Sequence, residues 1–125
     1  MVTPLDILKE GGDLIIVAEC SEGLGSEEFI QSQKKLLRFG PNEFLKHILK
    51  KDFAAIDEWQ TEMEIKSLKK GNIYLFSEGL SEEEKKYTGV NITYNLAKTI
   101  NDSVKKHNNN NIAIIPEGPY VIPVY

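Results

Sequence analysis

Short unbroken apolar runs alternate along the chain with longer stretches whose apolar residues recur at helical spacing. Five apolar residues occupy positions 14–18 without interruption, and four occupy positions 73–76. Short runs rich in β-branched or aromatic residues and bounded by turn residues are typical of strands buried on both faces of a sheet. We predict strands at 14–18, 72–77 and 112–115, with the last ended by Pro116. A brief edge strand is predicted at 90–94.

The stretches between these runs predict helices. Amphipathic spacing and cap residues place them at 26–37, 42–51, 57–70, 81–88 and from 95 onward, with a short one at 3–10. The apolar positions of the third of these helices, which begins near 56 or 57, are Ile56, Trp59 and Met63, with Ile65 and Leu68 offset around the cylinder. The glycine at 71 follows it as a C′ glycine would. Strands separated by helices imply right-handed crossovers. The predicted fold is α/β, a three-layer sandwich with a mostly parallel sheet and helices on both faces (Rossmann-like), in one domain over 1–125.

A glycine loop follows the first predicted strand. Gly23 and Gly25 lie in it, and Ser26 then stands where a helix N-cap belongs. In an open α/β sheet this loop lies at the carboxyl edge, where ligands bind. The dinucleotide fingerprint requires a small residue three positions after Gly25, where this chain has Glu28. The glycines are therefore predicted to shape a turn, and a nucleotide-binding module stays as an alternative.

Charge and cysteine content narrow the possible partners. The net charge is −4 with no basic stripe, so a nucleic-acid partner is not expected. No apolar run is long enough for a membrane span. The single cysteine, Cys20, excludes an internal disulfide and indicates a reducing, cytoplasmic setting. Neither His47 nor His107 is placed to activate it, and one cysteine with two isolated histidines fits no metal-ligand spacing, so we expect no metal site within the chain.

Four segments together resemble the C-terminal domain of the nickel-dependent lactate racemase family. Residues 11–25 resemble the family signature, a glycine pair, a hydrophobic strand, Val-Ala-Glu-Cys and two spaced glycines. Residues 57–60 resemble the family's Asp-x-Trp-Gln helix, and 73–77 resemble the strand after it. Residues 114–119 with 122–123 resemble its closing Ile-Pro-x-Gly…Pro segment. The resemblance covers nearly all of this chain and about the last third of a family member.

The resemblance implies a two-domain enzyme that racemises lactate or another short 2-hydroxy acid by hydride transfer to a nickel pincer nucleotide. It assigns the cofactor lysine, the nickel-binding histidine and the acid/base histidines to an N-terminal domain that this chain lacks, so none is carried onto His47 or His107. The family's Tyr-Gln-x-x-Lys motif precedes the glycine pair, and residues 3–10 would be the end of the element that carries it. By itself the chain is expected to be catalytically inert and to hold no cofactor.

The site residues implied by the resemblance are few. Trp59 matches a tryptophan that lines the cleft between the two domains, and Gln60 is its neighbour. On a helical stripe such a tryptophan is more often a core residue. Glu19, Cys20, Gly23 and Gly25 match the signature loop at the cleft edge. A non-catalytic interaction domain, with the apolar tail at 120–125 as its contact surface, is the other alternative.

Overall fold

A three-stranded parallel sheet forms the centre of the molecule. The structure, a computed structural model, describes residues 2–121 and 123. The strands are β1 (Asp13–Val17), β2 (Asn72–Phe76) and β3 (Asn91–Ile92), in the order β1-β2-β3. In the register of the first pair, Asp13 lies opposite Asn72 and Val17 opposite Phe76. The predicted parallel α/β fold is confirmed.

In the described part of the chain, four helices connect and flank the strands. They are α1 (Glu27–Ile48), α2 (Glu58–Lys70), α3 (Glu82–Lys85) and α4 (Leu96–His107), and 3-10 turns occupy Thr3–Asp6 and Gly118–Tyr120. Gly40 has φ 77° and ψ 166°, outside the helical region, and Pro41 follows it. The break predicted at Gly40-Pro41 is therefore confirmed, and the helices predicted at 26–37 and 42–51 are the two halves of α1.

Helix α4 covers the sheet face that carries Asp13. The Lys106 Nζ atom near the end of α4 lies 2.8 Å from Oδ1 of Asp13 at the start of β1, so α4 runs antiparallel to the strands. Residues alternate between faces along a strand, so Ile73, which is 1% exposed, lies on the other face from Asn72. Helix α2 packs against β2. A small apolar cluster of Leu36, Phe44 and Ile65 joins both halves of α1 to α2.

Two predicted strand properties are wrong. Residues 112–115 form no strand, and Ile114 is 85% exposed, because the chain leaves α4 without reaching a strand with which to pair. Strand β1 is only half-buried, with Val17 61% exposed at its end, so it is not covered on both faces as predicted. Its apolar run reflects strand propensity as much as burial.

The stripe predicted for α2 is confirmed at Ile65 and Leu68, which pack in the apolar cluster, and is wrong at its first two positions. Trp59 is 62% exposed and Ile56 69% exposed, whereas the buried positions include Glu58, Thr61 and Glu64. Polar side chains of α1 meet this face, so the contact between α1 and α2 is polar around its apolar cluster.

The remaining corrections concern element ends. Gly71 ends α2 with an extended backbone (φ −165°) and not as a left-handed C′ glycine. Glycine is required there because a Cβ would collide with the carbonyl oxygen of Gly12. The amino-terminal helix is shorter than predicted, Thr3–Asp6. Residues 122, 124 and 125 of the predicted apolar tail lie outside the described residues. Within the described part of the chain, no helix is long and apolar enough to cross a membrane.

Candidate functional site at the carboxyl edge of the sheet

The loop after β1 is hydrogen-bonded to the loop after β2. The Glu19 carbonyl oxygen accepts hydrogen bonds from the Ser77 hydroxyl (2.8 Å) and from the Gly79 N–H (2.9 Å). A Cβ at Gly79 would collide with the Glu19 carbonyl and lie 2.9 Å from the Cys20 carbonyl oxygen. The two loops therefore touch backbone to backbone, which only glycine at position 79 permits.

Left-handed backbone gives the signature loop its shape. Cys20 has φ 55°, Gly23 φ 76° and Gly25 φ 118°. The Gly23 N–H donates to the Cys20 carbonyl, closing a turn. A Cβ at Gly23 would collide with the Glu84 carboxylate. The prediction that these glycines shape a turn is consistent with this geometry.

The Glu84 carboxylate of α3 accepts a hydrogen bond from the glycine loop as well as from its own helix cap. Its Oε1 accepts from the Leu24 N–H at 3.1 Å, and its Oε2 accepts from the Ser81 N–H at 2.9 Å in the capping box of α3. Hydrogen bonds from Ser81 and Leu24 lower the pKa of this carboxyl, so it stays ionised at neutral pH. The Leu24 N–H of the glycine loop is therefore already hydrogen-bonded to a carboxylate of the chain itself.

The signature loop also contacts the start of α2. Ser26 caps α1 by accepting from the Phe29 N–H at 3.0 Å, and its hydroxyl donates to Asp57 Oδ2 at 2.5 Å. Asp57 has φ 59° and directly precedes α2. Its Oδ1 accepts from Gln60 Nε2 at 3.1 Å. The predicted residues Trp59 and Gln60 are therefore brought beside the predicted loop.

Exposed aromatic and aliphatic side chains adjoin this contact. Trp59 shows most of its surface to solvent, as do Ile56 and Phe53 just before it. The alternative in which Trp59 is a core residue is therefore wrong. An exposed group of large apolar side chains is a feature of surfaces that meet another molecule or domain.

The loop has an acidic surrounding. Exposed carboxylates lie along it and at the start of α1, namely Glu19, Glu22, Glu27, Glu28 and Glu78. Negative charge at the first turn of α1 opposes phosphate binding there. Together with the Glu84 contact, this disfavours the nucleotide-binding alternative.

The two histidines lie away from Cys20 in different surroundings. His47 is exposed near the end of α1, and His107 Nε2 lies 3.3 Å from Asp13 at the amino edge of the sheet. In the part of the chain that the structure describes, no group of three His, Cys, Asp or Glu side chains is arranged to hold a metal ion. Cys20 and the two histidines therefore do not form a nickel site, and the acidic loop does not fit the phosphate of a nucleotide.

Sequence reasoning missed the groups that fix the site. The capping box at Ser81 was evident, but the second bond of Glu84, to Leu24, joins residues 60 positions apart. Asp57 and Ser77 belong to segments that resemble the family, but their hydrogen bonds to Ser26 and to the Glu19 carbonyl are not predictable from those segments. The glycine at 79, directly after a predicted strand, was the one available signal for a close loop–loop contact.

Comparison with known proteins gives a consistent result. A family model described as the lactate racemase C-terminal domain matches residues 1–123. The solved structure of the lactate racemase apoprotein from Thermoanaerobacterium thermosaccharolyticum matches with a TM-score of 0.75 and 26% sequence identity over 91% of this chain. The chain spans 28% of the length of that protein. A search of curated proteins finds no significant match.

Proposed function

Because the chain belongs to the lactate racemase C-terminal domain family, we propose that it forms one wall of a racemase active site, acting on lactate or another short 2-hydroxy acid. An N-terminal domain would form the opposite wall. That domain would hold the nickel pincer nucleotide, which would accept and return the hydride, and would supply the acid/base groups. We assign them there because the described residues of this chain do not fit either role.

The observation that carries the proposal is the position of Trp59. The side chain is exposed, yet its helix is joined to the signature loop through Asp57 and Ser26. A large exposed aromatic on a fixed backbone, at the edge of a parallel sheet where ligands bind, is suited to line a cleft. The match of Asp57-Glu58-Trp59-Gln60 to the family motif supports the same assignment.

The proposed role of this chain is to position the substrate and to exclude water from it. When the two domains close, the Trp59 ring would cover the substrate and displace solvent, since a transferred hydride must be kept from competing reactions. The Glu19 contacts with Ser77 and Gly79 would hold the loop rigid during closure. Gln60 is bonded to Asp57 and so would orient the start of α2. The setting we propose is cytoplasmic.

Substitution of Trp59 in the assembled enzyme tests the proposal. With the chain combined with a cofactor-loaded lactate racemase N-terminal domain, Trp59→Ala is expected to lower kcat/KM for lactate by about tenfold, equivalent to about 1.4 kcal/mol of lost transition-state stabilisation. Trp59→Phe, which keeps a ring, is expected to recover part of it. The matched control is Ile112→Ala, a comparably exposed apolar side chain beyond the end of α4.

Two outcomes would contradict the proposal that Trp59 lines the active site. One is an unchanged kcat/KM in Trp59→Ala, and the other is an equal loss in Ile112→Ala.

If the chain is instead a non-catalytic interaction domain, it should self-associate through its tail as its concentration rises. Sedimentation of the chain over a range of concentrations distinguishes that alternative.

A further inference from the structure

The contact between α1 and α2 buries an unusual number of polar side chains. Besides the apolar cluster, each of the following is at most 5% exposed: Ser32, Gln33, Glu58, Thr61, Glu64 and Ser67. Glu58 is paired with Lys51 at 2.5 Å. Glu64 is buried with no such ion pair among the described residues. A buried carboxyl without a counter-charge requires a physical explanation.

Among the described residues, the Glu64 carboxyl has one side-chain hydrogen-bond partner, Gln33. The Gln33 Nε2 atom donates to Glu64 Oε2. The other oxygen of each group, Gln33 Oε1 and Glu64 Oε1, is fully buried and accepts no hydrogen bond from the residues that the structure describes. Both border Gly89, where a Cβ would collide with Glu64 Oε1 and lie 3.4 Å from Gln33 Oε1. The two oxygens thus face the same small space.

The protonation state of Glu64 decides whether this arrangement is favourable. An ionised carboxylate and a carboxamide oxygen are both acceptors, so facing each other they repel and leave two buried acceptors unsatisfied. A neutral carboxylic acid has an O–H that can donate to Gln33 Oε1. Carboxyl and carboxamide then exchange two hydrogen bonds in a ring, and neither group keeps an unmet acceptor.

We propose that Glu64 is held as the neutral acid and that its two-way pair with Gln33 is a pH-sensitive latch between α1 and α2. The inference concerns the packing of this chain alone and does not depend on the proposed function. Gly89 borders the latch without adding charge. Release of the proton would leave a buried anion against a carboxamide oxygen and loosen α2, the helix that begins with the Trp59 region.

The pKa of Glu64 agrees with this geometry. Burial raises it from 4.5 to about 7, against the hydrogen bond from Gln33, which lowers it. No charged group among the described residues contributes to this pKa. On the packed elements, Lys34 of α1 lies over the Tyr87 ring, Glu58 of α2 is held by Lys51, and Glu83 of α3 is held by Lys86.

The sign of the pH effect follows from the raised pKa. The folded chain binds the Glu64 proton more tightly than the unfolded chain, whose carboxyl has an ordinary pKa. The stabilisation is complete below about pH 4.5 and is lost as the pH rises through about 7. Between pH 5 and pH 8 the unfolding equilibrium constant should rise about 70-fold through Glu64 alone.

The test compares wild-type chain with Glu64→Gln by urea unfolding between pH 5 and pH 8. Glutamine reproduces the neutral acid, since its amide can donate to Gln33 Oε1 and accept from Gln33 Nε2. The variant should match wild type at pH 5 and be more stable at pH 8 by about 70-fold in the unfolding constant. All other titratable groups are the same in the two proteins, so their contributions cancel in the comparison.

Glu58→Gln is the matched control, a buried carboxyl of the same helix that pairs with Lys51. Burial opposes its ionisation but Lys51 holds its pKa below the ordinary value. Glu58→Gln should be destabilising by the same amount at pH 6 and at pH 8. A stability difference between Glu64→Gln and wild type that does not grow with pH would overturn the latch.

A direct titration keeps the proposal testable if the variant does not fold. Carbon-13 NMR of the glutamate side-chain carboxyls in the wild-type chain should show one group with a midpoint near pH 7. If every glutamate in the folded chain titrates below about pH 5, close to ordinary carboxyls, Glu64 is ionised at neutral pH and the latch does not exist.

Discussion

Removal of the Asp13 charge should detach α4 from β1 and destabilise the fold. The Asp13 side chain is 2% exposed at the start of β1. Lys106 Nζ lies 2.8 Å from its Oδ1, Asn72 Nδ2 donates to the same oxygen at 2.8 Å, and His107 Nε2 lies 3.3 Å from Oδ2. The substitution Asp13→Asn removes the negative charge with little change of shape.

The magnitude follows from the pKa of this carboxyl. Burial would raise it, but hydrogen bonds led by that from Lys106 lower it from 3.8 to about 2. At 1.36 kcal/mol per pKa unit, ionised Asp13 contributes about 2 kcal/mol at neutral pH. Lys106 is 47% exposed and can be rehydrated when its partner is lost, so the cost should stay near this value and below that of breaking a fully buried pair.

Urea unfolding at pH 7 measures this loss, with Asp102→Asn as the matched control. Asp102 also pairs with a lysine of α4, Lys98 at 2.5 Å, but both side chains are more than half exposed. Its removal should cost less than about 0.5 kcal/mol. The pH dependence gives a second check: the advantage of wild type over Asp13→Asn is present above about pH 4 and should shrink as the pH falls toward 2.

The reasoning is refuted if Asp13→Asn costs no more than Asp102→Asn. It is also refuted if the difference between Asp13→Asn and wild type is the same at pH 2 and pH 7, because the stabilisation would then not come from the ionised carboxyl.

Further substitutions probe the loops and caps by urea unfolding. Gly89→Ala should cost at least about 1 kcal/mol more than Gly11→Ala, because both glycines have positive φ but only a Cβ at 89 meets the Glu64 carboxyl; equal losses would contradict the close contact. Ser26→Ala should cost about 1–2 kcal/mol, and more than Asn95→Ala, because Ser26 both caps α1 and donates to Asp57 whereas the Asn95 side chain makes one capping bond to the Lys98 N–H. Equal losses in this second pair would show that the bond to Asp57 contributes nothing.

Local signals made much of the fold predictable. Strands β1 and β2 stand out as short apolar runs between glycines, and the caps at Ser26, Ser81 and Asn95 mark where helices begin. These features depend on residues within one turn of each other, which the sequence displays directly. The break at Gly40-Pro41 belongs to the same class.

Features that depend on distant residues were not predictable. The pattern at 112–115 is typical of a strand, but a strand forms only where another strand can pair with it. The local sequence does not reveal whether such a partner is close. The stripe of α2 was assigned by hydrophobicity, which places Trp59 inside and Glu64 outside. The structure reverses both, because Gln33 of α1 provides a polar partner for Glu64 and the Trp59 surface is left uncovered.

The candidate site shows the same division. The glycine loop and Trp59 were identified from the sequence, while the bonds that bring them together, Ser26 to Asp57 and Leu24 to Glu84, join residues 31 and 60 positions apart. No spacing rule connects such residues, so the sequence alone predicts the parts of the site and not their arrangement.

Complementation is the most direct test of the central claim that this chain is one wall of a racemase whose chemistry lies in another domain. A lactate racemase N-terminal domain carrying its nickel nucleotide is assayed for interconversion of D- and L-lactate alone, this chain is assayed alone, and the two are assayed together. We predict racemisation only in the mixture. Racemisation by this chain alone, or no gain when it is added to the N-terminal domain, would contradict the account.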